Sequence, residues 1–348
     1  MKYKDNPFSL DFGIRPELYI PRTEEERKII GTFMADKPST HLYMIIGARG
    51  MGKTALMTAV SDKIGSEAEW IHIDLDSENN LMEDLFSQLQ DEIKAKLPKV
   101  KLTVNLKVLN LDISWEEKSG SLRLELDKLL DILARNHARL LVTIDEAVNS
   151  SEMREFASYY QHAIREKYPI FVLMTGLFKN IRALQNNRSL TFLRRAAKID
   201  IKPLSIPKIA NEFEKVLKMS SEEAAKTAKL TAGYSYAFQM LGHLIFEAGK
   251  NKVDDDILRE YRYSLYDASY EKIWEELSEN ERRVVVVLSQ GDVDTPVSQI
   301  KEKLGMDNNN FSTYRDTLIK SGVVGNTAYG SLGLMLPLFS DYVKEYHV

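Results

Sequence analysis

Eight consecutive residues, Gly47 to Thr54, carry the clearest chemical pattern in this chain of 348 residues. They read Gly-Ala-Arg-Gly-Met-Gly-Lys-Thr and match the phosphate-binding pattern G-x-x-x-x-G-K-[S/T] at every fixed position. Glycines let backbone N–H groups wrap phosphate oxygens, and a helix starting near Lys53 directs its partial positive charge at the same anions. We expect this lysine to reach the β- and γ-phosphates of ATP, and the threonine hydroxyl to bind Mg²⁺. The predicted nucleotide-binding residues are Gly47, Ala48, Arg49, Gly50, Met51, Gly52, Lys53, Thr54 and Ala55.

Two acids and a threonine follow apolar runs that are typical of buried strands. Asp145 and Glu146 come directly after Arg139–Ile144, and Thr175 follows Ile170–Met174. Because ligands of α/β sheets bind at the carboxyl ends of the strands, Asp145 is suited to orient Mg²⁺ and Glu146 to polarise the attacking water. Thr175 is then a candidate contact for the γ-phosphate or that water. The alternatives are structural, since acids at strand ends also cap helices and a threonine before glycine also suits a turn.

Paired arginines, Arg194 and Arg195, precede the last predicted strand of the same region. One of them is a candidate arginine finger, a residue that stabilises the transition state at the nucleotide of a neighbouring subunit. This interpretation requires a homo-oligomer. The alternative is a solvated helix end, where positive charge is also favourable.

The elements that must position these residues follow an α/β pattern. Near-continuous apolar runs alternate with helical stretches, which predicts a parallel sheet covered by helices. A stretch that alternates and changes phase at Leu109–Asn110 predicts an inserted β-hairpin, Lys101 to Trp115, at about residues 100–116. The predicted strands of the sheet are His41–Ile46, Trp70–Leu75, Arg139–Ile144, Ile170–Met174 and Lys198–Ile201.

Composition and charge exclude several classes of protein. The 44% apolar and 28% charged residues are ordinary for a folded globular chain, and the absence of cysteine excludes disulfides and thiolate chemistry. Met1 to Ile20 lacks the apolar core of a signal peptide, and the longest apolar runs are too short to cross a membrane. We therefore expect a cytoplasmic protein. The net charge of −4 gives no global attraction for nucleic acid.

The C-terminal region reads as a winged helix-turn-helix. Ser278 and Glu281 form a capping-box pattern, two further helices end at Gly305 and Gly322, and two short strands follow. The third helix presents side chains that are suited to base edges in a major groove. From residue 277 to 348 acids exceed bases by two, however, which disfavours phosphate binding and leaves a protein partner equally open. The candidate contacts with duplex DNA are Asn309, Asn310, Thr313 and Arg315.

Taken in this order, the phosphate-binding run, the Asp-Glu pair, the strand-end threonine and the paired arginines resemble an AAA+ ATPase, a P-loop protein of the additional-strand class. The opening Asn6-Pro7-Phe8 and the later Pro21-Arg22 resemble the segment before the P-loop in origin-initiator-like AAA+ proteins. This resemblance implies a nucleotide-binding core at residues 1–205, a helical lid at 206–263 and a winged helix domain at 264–348.

The same resemblance places Ile14, Tyr19 and Arg22 beside the adenine. It also shows a departure, because AAA+ lids often carry a sensor arginine and the related STAND signalling ATPases a Gly-x-Pro turn. The matching position here reads Gly233-Tyr234-Ser235 and has neither. This favours slow turnover or a switch that stays locked to its nucleotide.

Two functions from different classes follow from these patterns. The first is an ATP-hydrolysing protein that acts on or associates with DNA through its winged helix. The second is a nucleotide-dependent signalling or scaffold switch whose winged helix binds a protein. A nucleotide-binding protein without turnover is a third reading, and Glu146 argues against it.

Overall fold

A computed structural model describes residues 5–11, 13–97 and 115–348. The chain divides into two compact units that are interleaved along the sequence. The first unit consists of residues 1–21, 47–55 and 200–348, and the second of residues 22–46 and 56–199. The predicted division into a core, a lid and a winged helix domain stays a prediction.

The second unit is built on a five-stranded sheet in the order β2-β3-β4-β1-β5. Neighbours β2 and β3, β3 and β4, and β4 and β1 pair in parallel, as the apolar runs predicted. β1 and β4 are buried along their whole length, because helices cover both faces. The strands are β1 (Leu42–Ile46), β2 (Trp70–Leu75), β3 (Arg139–Ile144), β4 (Ile170–Gly176) and β5 (Ala197–Asp200).

Helices pack on this sheet through an apolar core that includes Phe86, Leu126 and Phe156. The helices of this region are α1 (Thr23–Phe33), α2 (Lys53–Gly65), α3 (Leu81–Lys96), α4 (Trp115–Arg135), α5 (Ser151–Arg165) and α6 (Phe178–Asn186), followed by a 3₁₀ helix (Arg188–Arg195).

The predicted β-hairpin lies outside the described residues except at its end. There the prediction was wrong, because Trp115 begins α4 and does not end a strand.

Residues 206–265 of the first unit form four helices, in the region where the sequence predicted a purely helical pattern. The N-terminal segment packs against them, with the Phe8 ring 5.6 Å from Phe238 and 6.0 Å from Phe213. A π-helix, Tyr266–Tyr270, and α11 (Glu271–Glu276) follow. The four helices are α7 (Ile206–Leu217), α8 (Ser221–Leu230), α9 (Ser235–Glu247) and α10 (Asp255–Leu265).

Residues 277–348, here called the C-terminal segment, contain the three helices and the following pair of strands that the sequence predicted, together with a short strand before the second helix and a last helix that it did not predict. The Glu281 carboxylate accepts hydrogen bonds from the N–H and the hydroxyl of Ser278, as the capping-box pattern predicted. A three-stranded sheet in the order β6-β8-β7 pairs antiparallel. The elements are α12 (Glu279–Ser289), β6 (Thr295–Pro296), α13 (Val297–Leu304), α14 (Asn308–Ser321), β7 (Val324–Ala328), β8 (Ser331–Leu334) and α15 (Phe339–Tyr346).

Across residues 5–11, 13–97 and 115–348, the search for a helix able to span a membrane finds no candidate.

Candidate nucleotide site

The predicted phosphate-binding run follows β1 directly, and α2 begins at Lys53 as expected. The Lys53 side chain is 6% exposed, and its Nζ donates a hydrogen bond to the Ala48 carbonyl at 3.0 Å. The ammonium group is therefore held across its own loop, at the N-terminal end of the helix. Because N–H groups and partial positive charge converge at a helix N-terminus, this is a favourable position for an anion.

Three successive carbonyls of this loop are bound by a turn of the same unit. The Tyr234 hydroxyl donates to the Arg49 carbonyl at 2.9 Å. The Tyr236 N–H donates to the Gly50 carbonyl at 3.0 Å. The Ser235 hydroxyl donates to the Met51 carbonyl at 2.9 Å. The turn therefore fixes the backbone of the loop over three consecutive residues.

Gly50 shows how closely this turn approaches. Its φ of +72° lies in the left-handed region, which favours glycine. A Cβ built on it would lie 2.2 Å from the Tyr234 hydroxyl oxygen. The loop therefore requires glycine here for its backbone angle and for contact with the tyrosine.

Arg49 also connects this loop to a later part of the unit. Its guanidinium forms an ion pair with Glu276 at 3.3 Å, and both side chains are about one-third exposed. The side chain of this predicted nucleotide-binding residue is therefore directed to α11 in this structure.

The acids predicted at the sheet edge are organised by the register of the second unit. Ile144 of β3 is paired with Met174 of β4, so the following residues, Asp145 and Thr175, lie side by side. The Thr175 hydroxyl donates to Asp145 Oδ1 and accepts a hydrogen bond from the Glu146 N–H at 3.1 Å. Glu146 has a φ of +49°, a conformation that is costly for a residue with a Cβ and that clusters at functional sites.

A family model described as a domain of unknown function, DUF8462, matches residues 267–343. The curated proteins contain no significant match. The structure of the Aeropyrum pernix ORC2 protein in its ADPNP-ADP complexes covers 98% of this chain and 97% of its own, with 13% identity and a TM-score of 0.57. The ADP form of the same protein covers 98% of both chains, with 12% identity and a TM-score of 0.53.

The chain has the AAA+ fold. It is the type found in origin-initiator-like proteins, as the sequence motifs implied. At 12–13% identity these neighbours show the fold of the chain and not the roles of its residues.

Thr175, predicted as a contact for phosphate or water, is 0% exposed in this AAA+ structure. Its hydroxyl bonds to Asp145 and to the Glu146 backbone. The Thr175 hydroxyl is therefore directed toward the two acids.

The other predicted site residues lie in several surroundings. Arg194 and Arg195 are both exposed, and Arg194 donates from Nε to the Gln185 carbonyl at 3.0 Å, at the end of α6. Ile14 is 54% exposed and belongs with Tyr19 to the first unit. Arg22 is buried and belongs to the second unit.

The four predicted DNA contacts lie on α14. Asn309, Asn310 and Thr313 are exposed. Arg315 is partly buried and donates to Asn326 Oδ1 of β7 at 3.1 Å. The exposed side of this helix is thus polar, and its arginine is directed toward the strand.

Replacing Gly233 with alanine is expected to destabilise the protein by about 3 kcal/mol, because a left-handed φ costs a Cβ-bearing residue about 1–2 kcal/mol and a steric clash adds to it. Its φ is +76°, and a Cβ would lie 2.5 Å from the Leu204 carbonyl oxygen. Gly249→Ala is the matched control, since its φ is +62° but nothing lies within 4 Å of its Cβ. Chemical denaturation measures both variants, and equal losses would contradict the assignment of the difference to the clash.

Proposed function

We propose that this chain binds and hydrolyses ATP in a Mg²⁺-dependent reaction and associates with duplex DNA through its C-terminal segment. The observation that carries the proposal is the phosphate-binding run between β1 and α2, with Lys53 held at the helix N-terminus, in an AAA+ fold. The ORC2 neighbour, solved in ADPNP-ADP complexes, supports nucleotide binding.

The proposed roles follow from the chemistry of each group. Lys53 binds the β- and γ-phosphates, because its ammonium charge complements them at a site where N–H groups also converge. Thr54 and Asp145 supply hydroxyl and carboxylate oxygens, the ligand type that suits Mg²⁺. Bound Mg²⁺ would neutralise charge on the phosphate oxygens. Thr175 orients the Asp145 carboxylate through its hydroxyl.

Glu146 is proposed to accept a proton from the attacking water. Its N–H is held by the Thr175 hydroxyl at 3.1 Å and by Asp145 Oδ1 at 3.1 Å, so its backbone is fixed on both sides. A fixed backbone limits the positions that the carboxylate can reach, which is what a positioned general base needs.

Arg195 is the better candidate for an arginine finger acting on a neighbouring copy. Both arginines are exposed, but the Arg194 guanidinium donates a hydrogen bond to the Gln185 carbonyl at the end of α6. The proposal requires a homo-oligomer, and specific activity must then fall as the protein is diluted to a monomer. Constant specific activity down to a verified monomer would exclude it.

DNA association is expected to be weak in isolation and dependent on salt. The exposed Asn309 and Asn310 can bind base edges, but acids outnumber bases in the C-terminal segment, so few phosphates are neutralised. We expect the double variant Asn309→Ala/Asn310→Ala to weaken duplex binding by about ten-fold, since good base contacts contribute about 1–3 kcal/mol. Fluorescence anisotropy at low salt measures this. The matched control is Asn251→Ala, an exposed asparagine of the loop between α9 and α10.

The experiment that tests the whole proposal is steady-state ATP turnover with and without duplex DNA at low salt, with Lys53→Ala as the blank. Turnover that requires Lys53 and rises with DNA supports the proposal. No turnover above the blank excludes hydrolysis.

A nucleotide-dependent switch that binds a protein partner is the second candidate. The observation that favours it is the charge of the C-terminal segment, together with the engagement of Arg315 by Asn326. ATP turnover that ignores DNA, with a protein bound at α14, is the result expected for this function.

A further inference from the structure

The turn Gly233–Tyr236 lies where the AAA+ resemblance leads one to expect a sensor arginine, and it contains no charged side chain. We propose that this turn, together with Ser269, positions the P-loop backbone for nucleotide phosphates. The inference rests on the proposed function only in that the P-loop binds ATP. It assigns to the turn Gly233–Tyr236 a role in holding the carbonyl side of the loop, opposite to the N–H groups that bind phosphate.

Peptide geometry connects the observed hydrogen bonds to the phosphate site. Each peptide unit is planar and trans, so its C=O and the N–H of the next residue point in opposite directions. Binding the carbonyls of Arg49, Gly50 and Met51 therefore directs the N–H groups of residues 50, 51 and 52 away from the turn, and the Met51 N–H donates to the Ala48 carbonyl at 3.4 Å in this structure. In a P-loop these N–H groups are the ones that cradle phosphate.

The tyrosine hydroxyl connects two parts of the unit. Tyr234 has one hydroxyl proton and donates it to the Arg49 carbonyl, so the Ser269 hydroxyl, 2.6 Å away, must donate to the tyrosine oxygen. The chain of donors thus runs from the serine through the tyrosine to the P-loop. Burial raises the pKa of Tyr234, which keeps its proton in place at neutral pH.

Ser269 belongs to the π-helix, an element that is rare and often found at functional sites. The adjacent Tyr270 donates its hydroxyl to the Pro337 carbonyl of the C-terminal segment. Since coupling between sites is reciprocal, a nucleotide that favours the bound P-loop geometry also favours the Tyr234–Ser269 hydrogen bond. Backbone amides of the π-helix should therefore exchange more slowly when nucleotide is bound.

Tyr234→Phe is the principal test, because it removes the hydroxyl and keeps the ring. We expect the dissociation constant for a fluorescent ADP with Mg²⁺ to rise roughly five-fold in this variant, since one hydrogen bond is worth about 1 kcal/mol. Without this hydrogen bond, the nucleotide-free loop can adopt backbone conformations that do not bind phosphate. Turnover at saturating ATP should change less than about two-fold. Amides of residues 50–52 should exchange faster with solvent.

Tyr261→Phe is the matched control. This tyrosine is also fully buried in the first unit, and its hydroxyl donates to the Leu230 carbonyl at 3.1 Å, away from the P-loop. It should lower the melting temperature comparably without changing nucleotide affinity. Ser235→Ala, which removes the hydrogen bond to Met51, is a second variant in case Tyr234→Phe does not fold, and it should weaken binding about two- to three-fold.

The outcomes separate this inference from the proposed function. Weaker ADP binding in Tyr234→Phe or Ser235→Ala, with Tyr261→Phe unchanged, supports it. Unchanged affinity in both turn variants overturns it, while ATP binding that depends on Lys53 still supports the proposed function. Failure of the wild-type protein to bind nucleotide overturns both.

Discussion

Lys53→Ala is expected to raise the dissociation constant for ATP about 100-fold, because loss of a buried charge that pairs with phosphate costs about 2–5 kcal/mol. The ammonium group is already held within the P-loop by the Ala48 carbonyl, so little ordering is needed when phosphate binds. Titration with a fluorescent ATP analogue measures the change.

The matched control is Lys226→Ala. Lys226 lies on α8 with its side chain 65% exposed, paired with an exposed glutamate, and its loss should leave affinity unchanged. An affinity for ATP in Lys53→Ala within about three-fold of wild type would show that the phosphates bind elsewhere.

Glu146→Gln is expected to reduce turnover by about 100- to 10,000-fold, the usual contribution of a general base, while ATP still binds. Glutamine has nearly the same shape but cannot accept the proton of water. The left-handed backbone at this position is set by hydrogen bonds to the Glu146 N–H, which the substitution leaves intact. Single-turnover hydrolysis and nucleotide titration, measured side by side, separate chemistry from binding.

Glu152→Gln serves as the control for this variant, since Glu152 is a partly exposed acid in the first turn of α5. Its turnover should match that of the wild-type protein. If Glu146→Gln keeps wild-type turnover, another group activates the water, and the role proposed for this residue is wrong.

Much of the fold could be predicted because the signals are local. The buried strands β1 to β4 are short apolar runs, and their predicted bounds agree with the structure to within two residues. The helices of the C-terminal segment begin and end at residues with clear roles, such as Ser278 and Gly322. Trp115 was misassigned because an alternating pattern ran into the first turn of an amphipathic helix.

The site was predictable only where its residues are contiguous. The glycines, Lys53 and Thr54 form one motif, whereas the contact of Tyr234 with the Arg49 carbonyl joins residues 185 positions apart. From the sequence, the turn Gly233–Tyr236 showed only that an arginine was missing. The burial of Thr175 likewise depends on the pairing of β3 with β4, which no single strand specifies.

The interleaving of the two units has a consequence for how the protein is made. All residues of the second unit, 22–46 and 56–199, have been made once residue 199 has left the ribosome, so this unit can fold first. Phe8 and Asn6 must wait for Phe238 and His243, which are made more than 200 residues later. The phosphate-binding loop belongs to the first unit, which is completed later in synthesis. A nascent chain should therefore acquire its sheet before its phosphate-binding loop is set, and it becomes competent for nucleotide only after the turn Gly233–Tyr236 has been made.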